Sequence, residues 1–226
     1  MSRRFTEAEL ATCRCSSGQA WEAPSFAADC PLHGAPTHPE TAAPALTMLP
    51  PWSWAIVHAG KRLENRDWKR GCNYRGPVWL HTSNAPAGDP EKVLRSGSKA
   101  ADEYMAGVSA MLSAIARTKV DTGPVTHGAL LATRGMILGR ARVVSAIRPG
   151  SRGYSVEEEY IVAGMSRRMD RAITDAEATW WTGGFALVLD DVIALPEPVP
   201  CKGALGFWMV PEDVEAKCLA QIVRTP

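Results

Sequence analysis

Short apolar segments of strand length, separated by turn residues, recur along the sequence from Pro51 onward. Within them, apolar residues either run together or alternate with polar ones, as they do in strands with one or both faces buried. The strand candidates are 61–68, 77–83, 136–144, 185–189, 192–195 and 206–210, and the helix candidates between them are 52–59, 90–118 and 156–171. Short strands interrupted by helices predict an α+β fold, a small, partly open β-barrel with flanking helices.

The length and charge of the chain limit the classes of protein to which it can belong. With 226 residues, it can bury a core without disulfides or metals, and it fits one domain with additions. Its formal net charge of +1 gives no long-range attraction for polyanions, so any affinity for nucleic acid must come from a local patch. We expect no signal peptide and no membrane span, since no apolar run approaches about 20 residues. Three clustered and three scattered cysteines make a poor disulfide framework, which predicts a cytoplasmic protein.

Changes in composition divide the chain into three regions. Residues 1–34 hold the clustered cysteines, and residues 35–48 are rich in Pro and Ala, which predicts an extended linker. Residues 49–226 carry the periodic segments and predict the folded domain. Within that domain, residues 84–127 are rich in Ala and predict a helical insertion.

The N-terminal region contains a candidate metal site. Three thiolates and an imidazole form a ligand set that zinc accepts in tetrahedral geometry, and a structural ion would organise an arm too short to build its own core. The Cys-x-Cys spacing is tighter than the usual Cys-x₂-Cys, and His38 is a competing ligand. Two interpretations therefore stay open, a zinc knuckle and an arm with incidental cysteines. The predicted zinc ligands are Cys13, Cys15, Cys30 and His33.

Cations and aromatic residues are interleaved between Pro51 and Ser83. Cations suit phosphates and flat rings suit bases, so this composition is typical of proteins that bind single-stranded or flipped-out nucleotides. The alternative is that the tryptophans belong to the core and the cations to a solvated face, and composition alone favours neither. The cations are Lys61, Arg62, Arg66, Lys69, Arg70 and Arg75, and the aromatic residues are Trp52, Trp54, Trp68, Tyr74 and Trp79.

The spacing of these residues resembles the ASCH domain family, whose members have a PUA-like barrel. Gly60-Lys61-x-x-Glu64-x-Arg66 resembles the family's G-x-K-x-x-E-x-R motif, and an apolar strand that ends at His81 follows it. Three further segments resemble the family's central, late and closing segments in the same order, namely 135–139, 181–189 and 195–203. The resemblance covers residues 49–210, apart from the insertion.

The resemblance implies a cleft that binds RNA or another single-stranded nucleic acid, or a modified nucleoside. Glu64 and Arg66 stand two apart on one strand, so a carboxylate and a guanidinium can share one ligand. The carboxylate would accept from an exocyclic amine such as that of cytosine, and the guanidinium would donate to a carbonyl or a phosphate. The predicted nucleic-acid-binding residues are Trp52, Lys61, Glu64, Arg66, Trp68, Arg75, His81 and Lys202.

Two other functions stay open. The resemblance also extends to a bacterial branch that removes an acetyl group from N4 of acetylated cytidine, with a Lys, a Thr three residues later and a distant Glu. Here Lys61 takes the Lys position, Glu64 replaces the Thr, and the distant Glu would fall within 157–159. Lys61 and Glu64 are therefore the predicted catalytic residues of an amidohydrolase, provided that burial shifts their proton affinity. The second is a regulatory protein-interaction module, whose binding would respond less to salt.

Overall fold

The computed structural model describes residues 43–68, 72, 74–147 and 174–222. In this part of the chain, strands and helices mix in an α+β arrangement. The strands are β1 (Pro44–Met48), β2 (Leu63–Arg66), β3 (Gly76–Thr82), β4 (Met136–Ile147), β5 (Phe185–Pro200) and β6 (Phe207–Met209). The helices are α1 (Trp52–His58), α2 (Pro90–Arg95), α3 (Lys99–Thr118), α4 (His127–Ala132), α5 (Asp175–Ala178) and α6 (Glu212–Ile222).

The described strands form one six-stranded sheet in the order β2-β5-β4-β3-β1-β6. Neighbouring strands are antiparallel, except for β1 and β3, which run parallel. Register shifts between β4 and β5 mark bulges, which increase local twist and bend a sheet. At one of them the backbones come so close that a Cβ on Gly139 would lie 2.4 Å from the carbonyl oxygen of Ile193. The sheet curls into a half-barrel with helices packed on it, which confirms the predicted α+β class and the partly open barrel.

Three apolar clusters hold the sheet and the helices together. The inner cluster lines the half-barrel with side chains from four strands, such as Leu46, Leu80 and Leu187. A second cluster packs α1, α3 and α4 against the outer face of β2, β4 and β5. A third packs α6 against the outer face of β1 and β3, around Trp79 and Cys218. Because side chains alternate along a strand, each of the central strands contributes to both an inner and an outer cluster.

Helix α1 closes one end of the half-barrel. Its Ile56 belongs to the inner cluster and its Ala55 to the cluster under α3, so the helix bridges the two. Pro51 precedes the helix, and Gly60, with a φ of 70°, turns the chain toward β2. This Pro-first, Gly-last arrangement confirms the helix predicted for 52–59.

Several predicted elements differ from the observed ones. β1 lies within the predicted linker 35–48, so the linker prediction is wrong for residues 44–48. Pro44 takes the first strand position, where a proline is tolerated, and Ala45, Leu46 and Met48 are buried. The two strands predicted at 185–189 and 192–195 are one continuous strand, β5. The helix predicted at 156–171 lies outside the described residues, and no helix inside them is long and apolar enough to cross a membrane.

Candidate functional site

The opening of the half-barrel lies between the edge strand β2 and the β1–β6 pair at the other side of the sheet. Arg66 spans this opening, because its Nη2 donates a hydrogen bond of 2.7 Å to the carbonyl oxygen of Thr47. Register pairing of β1 with β6 ends at Leu46 and Phe207, one residue before Thr47. Arg66 therefore donates to a backbone carbonyl that lies just beyond the β1–β6 pairing. We call this opening, lined by Thr47, Arg66, Trp68 and Phe207, the mouth.

Aromatic side chains close the mouth on one side. Trp68 follows β2 and stacks on Phe185 of β5 at 6.0 Å between ring centroids, and it meets Phe207 of β6 at 5.8 Å. Tyr74 also contacts Phe207, at 4.9 Å. The Arg66 guanidinium lies over the Trp68 ring, 5.5 Å from its centroid, a geometry in which the ring quadrupole attracts the cation. Trp68 therefore supports the plane of the guanidinium that spans the opening.

A chain of three charged side chains runs inward from the mouth. Glu64 and Arg66 project from the same face of β2, as their spacing predicts, and the Arg66 Nε lies 3.2 Å from Glu64 Oε1. The other carboxylate oxygen, Oε2, accepts a hydrogen bond of 2.7 Å from Lys61 Nζ. The exposed fractions of the side chains are 1% for Lys61, 6% for Glu64 and 18% for Arg66. We call these three side chains the charge chain. Arg66 is its solvent-facing member, and Glu64 and Lys61 lie behind it.

Lys61 is a buried cation with its hydrogen-bonding capacity filled. Its Nζ donates to the carbonyl oxygen of Leu63 and to Glu64, and it lies 5.6 Å from the centroid of the Trp52 ring. Burial lowers the pKa of Lys61, and the adjacent charge of Glu64 opposes that shift. The other side of Trp52 lines a cavity of about 50 Å³ together with Pro86 and Tyr104. Trp52 therefore separates the buried amine from a small pocket under α3.

The remaining predicted nucleic-acid-binding residues lie elsewhere. Arg75 donates to the carbonyl oxygens of Cys72 and Tyr74, within its own loop. His81 projects from the outer face of the sheet, since its neighbours Val78 and Leu80 line the inner cluster. Lys202 is exposed in the loop between β5 and β6. Direct contacts join Trp52, Lys61, Glu64, Arg66 and Trp68 into one group, whereas Arg75 donates within its own loop and His81 contacts Thr47 and Cys201.

His81 has a structural network of its own. Its Nδ1 lies 3.1 Å from Thr47 Oγ1 and its Nε2 lies 3.0 Å from the carbonyl oxygen of Cys201, while Trp208 Nε1 donates to the same hydroxyl at 2.9 Å. A neutral His81 with its proton on Nε2 satisfies every bond in this series. Burial lowers the pKa of His81, which agrees with the neutral form. A Cβ on Gly203 would lie 2.3 Å from the ring, so the loop packs directly on His81.

Two residues of the mouth could not be predicted from the sequence. Thr47 lies in the segment taken for linker, and it contributes a backbone carbonyl, which no side-chain pattern reveals. Phe207 lies in a predicted strand, but nothing in its spacing relates it to Trp68, which is more than a hundred residues away in the sequence. Contacts at such separations depend on the curl of the sheet rather than on any local motif.

The predicted zinc ligands, together with the glutamates at 157–159, lie outside the described residues. Within the described ranges, no three His, Cys, Asp or Glu side chains are grouped so that they could hold a metal ion. No protein-family model matches the chain, and no curated protein shows significant similarity to it. The function that we propose therefore rests on the geometry of the mouth.

Proposed function

We propose that this chain binds nucleic acid, or a single nucleobase, at the mouth of a PUA-like barrel of the ASCH type. One observation carries the proposal: the guanidinium of Arg66 lies in the opening of the half-barrel, over the Trp68 ring and backed by the buried Glu64 and Lys61. The residues that resemble the ASCH motif are the ones that form this charge chain. The curled sheet is the kind of fold that the resemblance implies.

The physical properties of the site suit this ligand class. A guanidinium can donate to phosphate oxygens or to the edge of a base, and it can stack on a base with its flat face. Arg66 is already held in place by Thr47 and Trp68, so little rotamer entropy remains to be lost when a ligand binds. Because the net charge of the chain is only +1, we expect binding to be short-range and to weaken as salt rises.

The test is a titration of the full chain with fluorescent single-stranded RNA and DNA 12-mers at several salt concentrations. Replacing Arg66 with Gln removes the charge but keeps a hydrogen-bonding side chain of similar length. We expect about a tenfold or greater loss of affinity, the size of effect that follows from losing a charge-assisted bidentate contact. The logarithm of the affinity should also depend less steeply on the logarithm of salt.

The matched control is Arg95→Gln. Arg95 is 80% exposed on α2, where it pairs with Glu91 one helical turn away. Its loss should leave affinity unchanged, so that a general charge effect is separated from an effect at the mouth. Equal affinity of wild type and Arg66→Gln would rule out the mouth as the nucleic-acid site. Binding of a protein ligand that is insensitive to salt would instead favour the interaction module.

A second function, hydrolysis of an N4-acylated cytidine, is favoured by one observation. The amine of Lys61 and the carboxylate of Glu64 are 2.7 Å apart and buried, and burial lowers the pKa of Lys61. A buried amine and carboxylate in hydrogen-bond contact are the kind of groups that serve as general acid and base. For this reaction Arg66 would have to move away from Glu64, which it covers in the structure. Glu64 would then take a proton from water as its oxygen attacks the acyl carbon, and Lys61 would turn from Glu64 to stabilise the oxyanion. Cleavage of the C–N bond would release acetate and return the proton to the N4 amine of cytidine.

This second function predicts that Glu64→Gln abolishes turnover, because the amide keeps the shape of the side chain but is no base. Purified protein is incubated with N4-acetylcytidine, and the release of cytidine is followed by chromatography. Loss of activity in Glu64→Gln with ligand affinity retained would support catalysis. Release at the buffer rate by wild type and variant alike would leave the mouth as a binding site alone.

A further inference from the structure

The two inner members of the charge chain, Lys61 and Glu64, are held by partners within the protein. The ammonium of Lys61 has three N–H groups, of which two donate to Leu63 and Glu64 and the third can face the Trp52 ring. With an exposed fraction of 1%, this amine has no donor to offer a ligand at the surface. Lys61 therefore acts on a ligand only through its neighbours.

Glu64 is ion-paired on both sides. One carboxylate oxygen accepts a hydrogen bond from Lys61 at 2.7 Å, and the other lies 3.2 Å from the Arg66 Nε in an ion pair without a hydrogen bond. Only 6% of the side chain is exposed, because Arg66 covers it on the solvent side. An amino group on a ligand would have to displace Arg66 to reach the carboxylate. A buried charge that loses its partner costs several kcal/mol, so such a displacement is unfavourable.

Arg66 keeps free capacity. Its Nη2 donates to Thr47, and its Nε faces Glu64, but its Nη1 has no acceptor within the described part of the chain. A guanidinium has N–H donors and no acceptors. The side of the charge chain that faces the ligand therefore presents donors alone.

Resting on the proposed function, we infer that the mouth selects ligand groups that present a pair of acceptor atoms. Two parts of a nucleic acid fit that description, namely the O6/N7 edge of guanine and two oxygens of a phosphate group. An edge that presents an amino group, such as N4 of cytosine, finds no accessible acceptor in the charge chain. From the sequence we expect Glu64 to accept a hydrogen bond from such an amino group. The structure differs because Lys61 and Arg66 both contact the carboxylate, which the motif does not reveal.

The test uses the full chain and single-stranded pentamers in which one central base is flanked by abasic positions. The central base is guanine, 7-deazaguanine or cytosine, so that the number of phosphates stays constant. If Arg66 reads a base edge, the guanine pentamer should bind about tenfold tighter than the cytosine pentamer, and 7-deazaguanine should lose most of that advantage. If Arg66 holds a phosphate, all three should bind alike, and inorganic phosphate should compete.

Two variants complete the experiment. Arg66→Lys keeps the charge but loses the planar fork, so it should abolish base discrimination while retaining much of any phosphate binding. Arg66→Gln should weaken binding in both cases. Tighter binding of the cytosine pentamer would overturn the inference and leave the proposed function standing. Equal binding that Arg66→Gln leaves unchanged would overturn both, because it would exclude the mouth as the binding site. Failure of the pentamers and of the 12-mers to bind at low salt would overturn both.

Discussion

Lys61 is a fully buried amine, although a charged amine is most stable when it is hydrated. A fully buried amine loses its hydration, which favours the neutral form, and the negative charge of Glu64 compensates that loss in part. The loss dominates, since the pKa is lowered. Buried ion pairs of this kind seldom stabilise a protein over a well-packed apolar pair, although the removal of one partner is costly. We therefore attribute the position of Lys61 to its role in orienting Glu64 and Arg66 rather than to a contribution to the stability of the protein.

We expect Lys61 to make the free energy of unfolding rise with pH in the alkaline range. Between its lowered folded-state pKa and 10.5, the unfolded state binds more protons at this site than the folded state, so the free energy of unfolding rises with pH. In Lys61→Met this contribution is absent. Denaturant unfolding from pH 7 to 9.5 should therefore show a more positive slope for wild type than for the variant.

The difference between the two proteins is the informative quantity in that experiment. Tyr74 and Tyr104 have pKa values raised to about 12 by burial, which makes stability fall as pH rises above 10. Both tyrosines are present in wild type and variant, so their effect cancels. A slope that is identical in the two proteins would show that Lys61 titrates alike in the folded and unfolded states.

At the scale of the element, the buried Glu215 links α6 to two strands of the sheet. Glu215 is buried, and its Oε1 accepts hydrogen bonds from the backbone N–H of Ala43 at 3.0 Å and from Trp79 Nε1 at 2.9 Å. The carboxylate thereby links the helix to the start of β1 and to the centre of β3. Beside it, Cys218 from the same helix completes the apolar cluster on the outer face.

Replacing Glu215 with Leu should reduce the free energy of unfolding by about 2–4 kcal/mol, because two buried donors lose their acceptor. Glu215→Gln keeps an oxygen in the same place and should cost markedly less. Glu212→Leu, at an exposed position of the same helix, should change stability by no more than about 0.5 kcal/mol. Chemical denaturation of the three variants measures these differences, and equal midpoints for Glu215→Leu and Glu212→Leu would contradict the anchoring role.

At the scale of the whole molecule, the half-barrel is held closed by side chains rather than by a complete ring of backbone hydrogen bonds. β2 and β6 are the edges of the described sheet. The Arg66–Thr47 bond joins β2 to β1, the neighbour of β6, and Trp68, which follows β2, contacts Phe207 of β6. Unpaired edges are a liability in β-proteins, and covering them with side chains is one way to protect them. The same closure forms the mouth, so the binding that we propose and the integrity of the barrel depend on common residues.

Phe207→Ala should loosen this closure. We expect a loss of about 1–3 kcal/mol in the free energy of unfolding and faster amide hydrogen exchange in both β2 and β6. Met209→Ala on the same strand is the control, because Met209 is 60% exposed and takes no part in the contacts across the opening. Exchange that accelerates in β6 but not in β2 would show that the two edges are not coupled through Phe207.

Local information determined the elements of this protein and the composition of its site. The Pro-first, Gly-last signature located α1, the two-residue period of β2 placed Glu64 and Arg66 on one face, and the apolar segments gave the strands of the α+β fold. These features depend on residues within a few positions of one another, so the sequence specifies them directly. The same reasoning failed for β1, whose Pro and Ala residues resemble a linker unless the neighbouring strands are known.

The tertiary structure alone decided which residues meet at the mouth and which of them are exposed to solvent. Thr47, Arg66 and Phe207 come from distant parts of the chain, and the curl of the sheet brings them together. His81 stands on the same predicted strand as residues of the inner face, yet alternation turns it to the outer face. The sequence gives three charges but not their order from solvent to core, which depends on where the fold places each side chain. The fold buries the ammonium, although it is more strongly hydrated than a guanidinium, and pairs it with the carboxylate.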